Sequence, residues 1–510
     1  MISLSEKELD LGLEILKWHG YGDFFPKPPE FDILSKGWAS FRKHLSTLDL
    51  EKYEGYQPIE ISAPKSRISL RRVALLHPFD AVIYSALVGL VRDSIAADRV
   101  PESEQSVFSF RSEGAHAHAL YKPRPSHPEF AARVLAKAAK SKRGYMALAD
   151  VADFYRRLYQ HRVRNAVEAT IKDPVRSRYA EIIEKRLLRT FSGGNSYGIP
   201  IGPAASRPLA EAAMIDVDSA LQSHNIDFVR YIDDFALFAG SREAAEWSVR
   251  QLGEILLSNH GLALQTAKTH VMSCEEYIKR HQADSEEDEV EKEFNEIVEE
   301  HFYDIDSIDD LTEDQKDTID VMDFAAVLES ALGEDSVSYK KVSFILGKLS
   351  SLQNPDLIPI VLENLELLYP VAHSVNEFFR EFEHLPVKEQ KKIGDALLAP
   401  LLPGAEYRAP EYYAMWALDL FARNESWNHA RTLMKIFRET ESQVIRRYSA
   451  LAIGKCGSRA EALIFREHIG AAEPMTRTAI LISSAKLPKD ERSHWRRSLR
   501  LSDPFEKQIP

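Results

Sequence analysis

The chain has little cysteine and no long apolar run, and each absence excludes a class of protein. Only Cys274 and Cys456 occur in 510 residues, so a disulfide framework and a structural zinc site are excluded, and two buried apolar thiols are expected. No apolar stretch approaches the length of a membrane span, and the N-terminus lacks the basic start and apolar core of a signal peptide. We therefore expect a soluble cytoplasmic protein with no membrane partner.

A basic excess is also lacking, since the formal net charge is -13. The acidic residues are concentrated in one segment, however. Residues 281–320 contain 18 acidic residues against Lys292 and Lys316, which gives this segment -16 and leaves +3 for the other 470 residues. A basic cleft for nucleic acid elsewhere in the chain is therefore compatible with the composition.

The length and the hydrophobic patterns predict several regions. We expect an N-terminal segment over 1–60, a mixed α and β region over 61–280, an acidic linker over 281–320 and a helical domain over 321–510. In the last region Trp416-Ala-Leu, Ser449-Ala-Leu and Thr478-Ala-Ile recur at spacings of 33 and 29 residues. This period is typical of stacked helix pairs of the HEAT type, with an ordinary helical bundle as the alternative.

Two adjacent carboxylates interrupt an apolar run at Val229-Arg-Tyr-Ile-Asp-Asp-Phe-Ala-Leu-Phe238. The pattern predicts a strand, a tight turn and a second strand, with Asp233 and Asp234 at the tip. Aspartate suits turn geometry, so an ordinary hairpin is one interpretation. The other is a metal site, because Mg²⁺ prefers hard oxygen ligands.

A third carboxylate is available from Ala147-Leu-Ala-Asp-Val-Ala-Asp-Phe-Tyr155, an apolar strand that ends at Asp150. Phosphoryl transfer by two metal ions needs carboxylates that can bridge both ions. We therefore expect Asp150, Asp233 and Asp234 to converge on two Mg²⁺ or Mn²⁺ ions.

These segments resemble the palm motifs of reverse transcriptases. Asp150-Val-Ala-Asp-Phe-Tyr155 is similar to motif A, Gly198-Ile-Pro-Ile-Gly202 to the start of motif B, and Tyr231-Ile-Asp-Asp234 to motif C, and the three occur in the family's order. The resemblance implies an α+β fold, with reverse-transcriptase fingers and palm over 61–280 followed by an all-α HEAT-like helical domain. It also implies that Asp150, Asp233 and Asp234 are the catalytic metal ligands.

The resemblance extends to residues that contact the nucleotide. Arg72-Val-Ala-Leu-Leu-His-Pro-Phe-Asp80 and Val107-Phe-Ser-Phe-Arg111 are similar to the fingers boxes of intron and retron enzymes, whose matching arginines lie near the incoming triphosphate. Tyr155 stands where these enzymes place the ring that excludes a 2′-hydroxyl, which implies a preference for dNTPs. The implied nucleotide-binding residues are Arg72, Arg111, Asp153, Phe154, Tyr155 and Gly202.

Gly261-Leu-Ala-Leu-Gln-Thr-Ala-Lys-Thr269 resembles motif D, whose lysine is thought to protonate the departing pyrophosphate. This similarity implies that role for Lys268, with an ordinary surface lysine as the alternative.

Two features depart from the family's pattern. Ile201 occupies a position where many relatives have a glutamine beside the nascent pair, which puts ordinary templated fidelity in doubt, and no basic thumb helix of the expected kind is evident.

Residues 150 to 159, the Gly-Ile-Pro of motif B and the helical second half are most similar to the abortive-infection polymerases, the AbiK-like branch of bacterial reverse transcriptases, and at this length to the prophage P-two type. That resemblance implies a bacterial enzyme that defends against phage by making single-stranded DNA without a template. The product starts on a protein tyrosine and stays attached. Tyr21, between Gly20 and Gly22 on a loop expected to be exposed, is the candidate, with Tyr53 and Tyr56 behind it. A homo-oligomer, most simply a trimer, is also implied.

Two alternatives remain at this point. One is a reverse transcriptase that copies a structured RNA, as retrons do. The other is a decayed palm that serves as a scaffold while the helical domain binds a phage protein. The second is weakened because Asp150, Asp233 and Asp234 are all present.

Overall fold

The computed structural model describes residues 2–22, 24–66, 68–112, 118–141, 143–283, 321–334, 337–405 and 408–509. The chain divides into two compact units. Unit 1 comprises residues 1–23, 34–58 and 74–284, and unit 2 comprises 24–33, 59–73 and 285–510. The acidic linker predicted for 281–320 lies, from residue 284 onward, outside the described residues.

The helices and strands are defined as follows. The helices up to residue 283 are α1 (Glu6–His19), α2 (Pro29–Lys36), α3 (Trp38–Ser46), α4 (Pro78–Asp98), α5 (His127–Lys140), α6 (Phe154–Arg157), α7 (Gln160–Thr170), α8 (Pro174–Ile182), α9 (Arg189–Phe191), α10 (Ser206–Ala213), α11 (Ile215–Ser223), α12 (Arg242–His260) and α13 (Cys274–Ala283). The strands are β1 (Ile59–Pro64), β2 (Leu70–Leu75), β3 (Tyr145–Asp150), β4 (Asp227–Tyr231), β5 (Asp234–Ala239) and β6 (His270–Ser273). The later helices are α14 (Val321–Leu332), α15 (Tyr339–Leu352), α16 (Leu357–Glu363), α17 (Ala372–Arg380), α18 (Val387–Leu398), α19 (Glu411–Arg423), α20 (Ala430–Glu439), α21 (Gln443–Cys456), α22 (Arg459–His468), α23 (Pro474–Ser483), α24 (Lys489–Ser498) and α25 (Pro504–Lys507).

Helices α1 and α4 form much of the core of unit 1. A capping box at Ser5 and Glu8 begins α1, because each side chain satisfies a backbone N–H of the first turn. The two helices pack so closely that a Cβ on Gly12 would lie 2.5 Å from the Val82 carbonyl oxygen. Every residue of α4 from Pro78 to Gly89 is buried, so the first half of this helix runs through the interior of the unit.

Unit 1 also contains a four-stranded antiparallel sheet with the strand order β4-β5-β3-β6. Helix α5 covers one face through Phe130, Val134 and Ala138, which pack with Met146 and Ala236 of the sheet. Helix α12 packs on β3 and β5. Because the strands are covered in this way, β5 is an almost continuous apolar run rather than an alternating one.

From residue 321 onward the described elements of unit 2 are helical. Helices α15, α17, α19, α21 and α23 pack each on the next in one row. In sequence, α14 precedes this row, and α16, α18, α20 and α22 lie between its members. The three recurring tripeptides fall on α19, α21 and α23. The strand β1 packs on α19 through the side of the strand that carries the buried Ile59 and Ile61.

The division into two units does not follow the predicted boundary between residues 60 and 61. Residues 24–33 and 59–73 belong to the C-terminal helical unit, because their apolar side chains, including Phe31 and Ile61, are buried there. Cys274 is buried as expected, whereas Cys456 is only partly buried. Among the described residues, no helix has the length and apolar character that crossing a membrane requires.

Candidate active site

The sheet of unit 1 brings the three predicted carboxylates together. Strand β3 ends at Asp150 and β5 begins at Asp234, and these two residues are direct partners in the antiparallel register. Ile232 and Asp233 form the turn between β4 and β5, since Tyr231 pairs with Asp234. The Asp233 carbonyl accepts a hydrogen bond of 3.1 Å from the Val151 N–H, which fixes the turn against the end of β3.

The electrostatics of this site reflect burial and mutual repulsion. Burial, followed by the charges of Asp234 and Asp150, raises the pKa of Asp233 to about 7. Burial and the Asp150 carboxylate likewise raise the pKa of Asp234. One cation offsets this repulsion, because the Lys268 Nζ lies 3.1 Å from Asp150 Oδ2. Lys268 is in a 3₁₀ turn over Thr266–Lys268, directly before β6.

The donor set fits a divalent cation in its chemistry. Three carboxylates that destabilise one another's charged forms supply the hard oxygen ligands that Mg²⁺ and Mn²⁺ prefer. The ligand geometry itself is not formed: over the described part of the chain, no three His, Cys, Asp or Glu side chains are arranged to hold a metal ion.

A buried ionic network contacts the turn between β4 and β5. Arg230 of β4 is completely buried and binds both Glu211 of α10 and Asp218 of α11. Its Nη1 also donates to the Ile232 carbonyl at 2.9 Å. Arg99 joins the network through Glu211 at 2.5 Å. The sequence assigned no role to this network, although charged residues within the apolar patterns of β4 and α10 were a visible signal.

Asp153, Phe154 and Tyr155 follow the end of β3. Asp153 is exposed and has a φ of 50°, a left-handed conformation that aspartate tolerates. Phe154 is buried, and its ring meets the Tyr155 ring edge to face. Burial, with contributions from Glu211 and Asp233, raises the pKa of Tyr155 well above its usual value.

The glycines of the predicted motif B form a turn beside this site. Gly198 and Gly202 have φ values of 90° and 120°, which favour glycine strongly. The Gly198 N–H donates to the Leu158 carbonyl, so the turn is tied to the segment that follows Asp150. At Gly202 a Cβ would lie 3.1 Å from the Ala74 carbonyl oxygen.

The loop that carries Tyr21 lies against the same turn. A Cβ on Gly22 would be 3.5 Å from the carbonyl carbon and oxygen of Gly202, so the two glycine backbones are in near contact. Tyr21 itself is partly buried rather than fully exposed as expected, because its loop packs here. The other candidate tyrosines are engaged around Asp80: Tyr53 donates its hydroxyl and Tyr56 its backbone N–H, both at 2.7 Å.

The two predicted arginines have partners outside the carboxylate group. Arg72 lies on β2 within unit 2, where its guanidinium contacts Ser62 at 3.3 Å and Glu60 at 3.9 Å. Arg111 is buried in unit 1 and donates to the backbone carbonyls of Val100 and Val107. Both hydrogen bonds use Nη2, and the buried Arg111 Nε has no hydrogen-bond partner among the described residues.

Aromatic rings around Tyr231 were not predicted. The Arg207 guanidinium lies over the rings of Phe110 and Tyr121, at 5.2 and 5.5 Å from their centroids. The His127 ring meets Tyr231 edge to face at 5.4 Å. Because these rings come from separate loops and helices, their contacts depend on tertiary packing that no local pattern indicates.

No family model matches the chain, and no curated protein matches it. Among solved structures, apo telomerase from Candida tropicalis aligns with a TM-score of 0.34 and 12% identity, over 82% of this chain and 72% of that one. Telomerase from Candida albicans in complex with a fragment of telomeric RNA aligns with a TM-score of 0.31 and 13% identity, over 81% of this chain and 70% of that one.

Proposed function

We propose that the protein is a DNA polymerase of the reverse-transcriptase type, which transfers nucleotidyl groups from dNTPs. The observation that carries this proposal is the meeting of Asp150, Asp233 and Asp234 at one end of the sheet, with the Lys268 ammonium beside them. Three repelling carboxylates at one place are costly to a fold, and phosphoryl transfer is a chemistry that uses such a group.

In this proposal the residues have separate roles. Mg²⁺ or Mn²⁺, as two ions held by Asp150, Asp233 and Asp234, would neutralise the charge that develops on the transferred phosphate. Lys268, whose Nζ lies 3.1 Å from Asp150 Oδ2, would give a proton to the departing pyrophosphate. Tyr155, which follows Asp150 by five residues, would exclude a nucleotide with a 2′-hydroxyl.

The finer part of the proposal concerns the start of synthesis. We infer that the first nucleotide is joined to the Tyr21 hydroxyl, because the loop of Tyr21 touches the motif B turn at Gly202. Ile201 has no side-chain donor for a templated pair, which favours synthesis without a template. The single-stranded product would stay attached to the protein, and the sequence resemblance points to a homo-oligomer that acts in bacterial defence against phage. Arg72, Arg111, Asp153 and Phe154 remain proposed nucleotide contacts.

The test is an incubation of purified protein with labelled dNTPs and Mg²⁺ or Mn²⁺, without template or primer. Label that migrates with the polypeptide on a denaturing gel is the expected result. Asp150→Asn and Asp233→Asn should each abolish labelling while the fold is retained. Asp227→Asn is the matched control, because Asp227 is exposed at the far end of the same hairpin. Full activity in either active-site variant would refute the metal-ligand assignment.

The priming residue is tested separately by peptide mass spectrometry of the labelled protein. Tyr21→Phe should remove the protein-linked product, whereas Tyr53→Phe should keep it. A nucleotide found on another residue would exclude Tyr21 and leave the polymerase proposal intact. Products that match a copurified RNA would instead support the templated alternative.

A further inference from the structure

We propose that Arg230, with Glu211, Asp218, Arg99 and Ser109, is a positioning device that fixes the backbone of the turn that carries Asp233, a proposed metal ligand. This inference rests on the proposed function, since it assigns a role toward the same metal site. None of the five residues is a proposed ligand. They would act through the backbone of Ile232 and Asp233.

The Arg230 guanidinium uses all five of its N–H donors. Nε donates to Asp218 Oδ1 at 2.7 Å, and Nη2 donates to Asp218 Oδ2 at 2.5 Å and to Glu211 Oε2 at 3.1 Å. Nη1 donates to Glu211 Oε1 at 3.3 Å and to the Ile232 carbonyl at 2.9 Å. The two carboxylates thus fix the plane of the guanidinium, and its remaining donor is aimed at the turn.

A second set of contacts holds the other side of the turn. The Ile232 N–H donates to Ser109 Oγ at 3.1 Å. Arg99 fixes the segment of Ser109, because it donates to the Ser109 carbonyl at 2.7 Å, to the Phe110 carbonyl at 3.0 Å and to Glu211 at 2.5 Å. Two arginines and two carboxylates balance one another in charge, so the network is neutral within the core.

The turn needs this support because of the residue that forms it. Ile232 has a φ of 57°, a left-handed conformation that a β-branched residue rarely adopts. Glycine is the usual residue at a two-residue hairpin turn with positive φ. Here the N–H and the C=O of Ile232 and the C=O of Asp233 are all hydrogen-bonded, to Ser109, Arg230 and Val151 respectively. These hydrogen bonds stabilise the strained conformation of Ile232 and thereby fix the backbone of Asp233.

Lysine at position 230 keeps the charge but cannot bind two carboxylates and the Ile232 carbonyl at once. We therefore expect Arg230→Lys to weaken Mn²⁺ binding by about tenfold or more, the range found when groups that orient metal ligands are removed. Adding Ile232→Gly should restore most of that loss, because glycine adopts positive φ without the support of Arg230. Ser109→Ala should weaken binding less, since it removes one hydrogen bond and no charge.

The experiment is a calorimetric titration of the full-length protein with Mn²⁺, together with thermal unfolding of each variant. Arg447→Lys is the control for general destabilisation, because Arg447 is as deeply buried as Arg230 and belongs to unit 2. It should lower the unfolding temperature and leave Mn²⁺ affinity unchanged. A purely structural role of Arg230 would give that same result for Arg230→Lys, and this outcome overturns the inference.

The remaining outcomes separate the inference from the proposed function. Equal Mn²⁺ binding by the wild type and Asp233→Asn refutes the metal site and the inference with it. Loss of binding in Asp233→Asn together with wild-type affinity in Arg230→Lys refutes only the positioning role. Failure of Ile232→Gly to restore binding also refutes it. If Arg230→Lys does not fold, Ser109→Ala with and without Ile232→Gly decides the question by the same criteria.

Discussion

The ion pair between Glu30 and Arg447 offers a demanding test of how unit 2 is held together. The two side chains are completely buried, 417 residues apart in sequence, and doubly hydrogen-bonded at 2.6 and 2.7 Å. Arg447 Nη1 also donates to the Met475 carbonyl at 2.5 Å. Glu30→Gln removes one charge with little change in shape and leaves the Arg447 guanidinium buried without a counterion.

The expected loss follows from that burial. Removing one partner of a buried ion pair costs about 3–5 kcal/mol, chiefly because the remaining charge is left desolvated. In a unit of roughly 150–250 residues, each kcal/mol lowers the unfolding temperature by about 2–4 °C. We therefore expect the transition of unit 2 to move down by roughly 6–20 °C, well outside the error of calorimetry.

The segment also contains a matched control. Lys27 and Asp32 form an ion pair at 2.7 Å with both side chains more than half exposed, so Asp32→Asn should cost under about 1 kcal/mol. The double substitution Glu30→Leu with Arg447→Met should be close to wild type, because an apolar pair avoids the cost of burying charge. Equal effects of Glu30→Gln and Asp32→Asn in calorimetry would refute the reasoning.

Three further predictions concern the nucleotide site, pH and the division of the chain. Tyr155→Ala should relax the preference for dNTPs over NTPs by about tenfold or more, measured as the ratio of incorporation rates, whereas the exposed Tyr159→Ala should leave the ratio unchanged. Burial raises the pKa of Asp80 to about 7 from its ordinary 3.8, so the folded protein retains a proton that the unfolded chain releases, and stability should fall by about 3 kcal/mol as pH rises from 4 to 7. Asp80→Asn should remove that part of the slope in denaturant titrations, and an unchanged slope would assign it to other groups. A chain that ends at residue 283 should aggregate in size-exclusion chromatography, because residues 24–33 and 59–73 lose the helices that bury Phe31 and Ile61. A soluble, cooperatively folded fragment would contradict this division.

Local patterns were sufficient to predict the elements that carry the carboxylates. The apolar run that ends at Asp150 is β3, and the run interrupted at Asp233 and Asp234 is the β4-β5 hairpin. Both predictions rest on short apolar runs and turn chemistry within about ten residues, where the sequence alone is informative. The antiparallel pairing of Asp150 with Asp234 follows once these strands share a sheet.

The partners of those elements required information that no local pattern holds. Arg111 matched a fingers box by sequence, yet its Nη2 donates to the backbone carbonyls of Val100 and Val107. The assignment of residues 24–33 to the helical half depends on Glu30 meeting Arg447. Contacts of this kind join positions that are far apart in the chain, so composition and periodicity give no signal for them.

Three departures from local preference meet around the turn between β4 and β5. Isoleucine occupies a left-handed position that favours glycine, an arginine lies in the interior of an apolar strand, and Glu211 lies in a buried helix. Each departure alone costs stability, but the five donors of Arg230 satisfy the two buried carboxylates and the strained carbonyl together. Because one side chain resolves all three, the departures are coupled and not independent defects. A coupled set of local exceptions of this kind fixes the backbone of the turn that carries Asp233, and natural sequences keep such exceptions chiefly at functional sites.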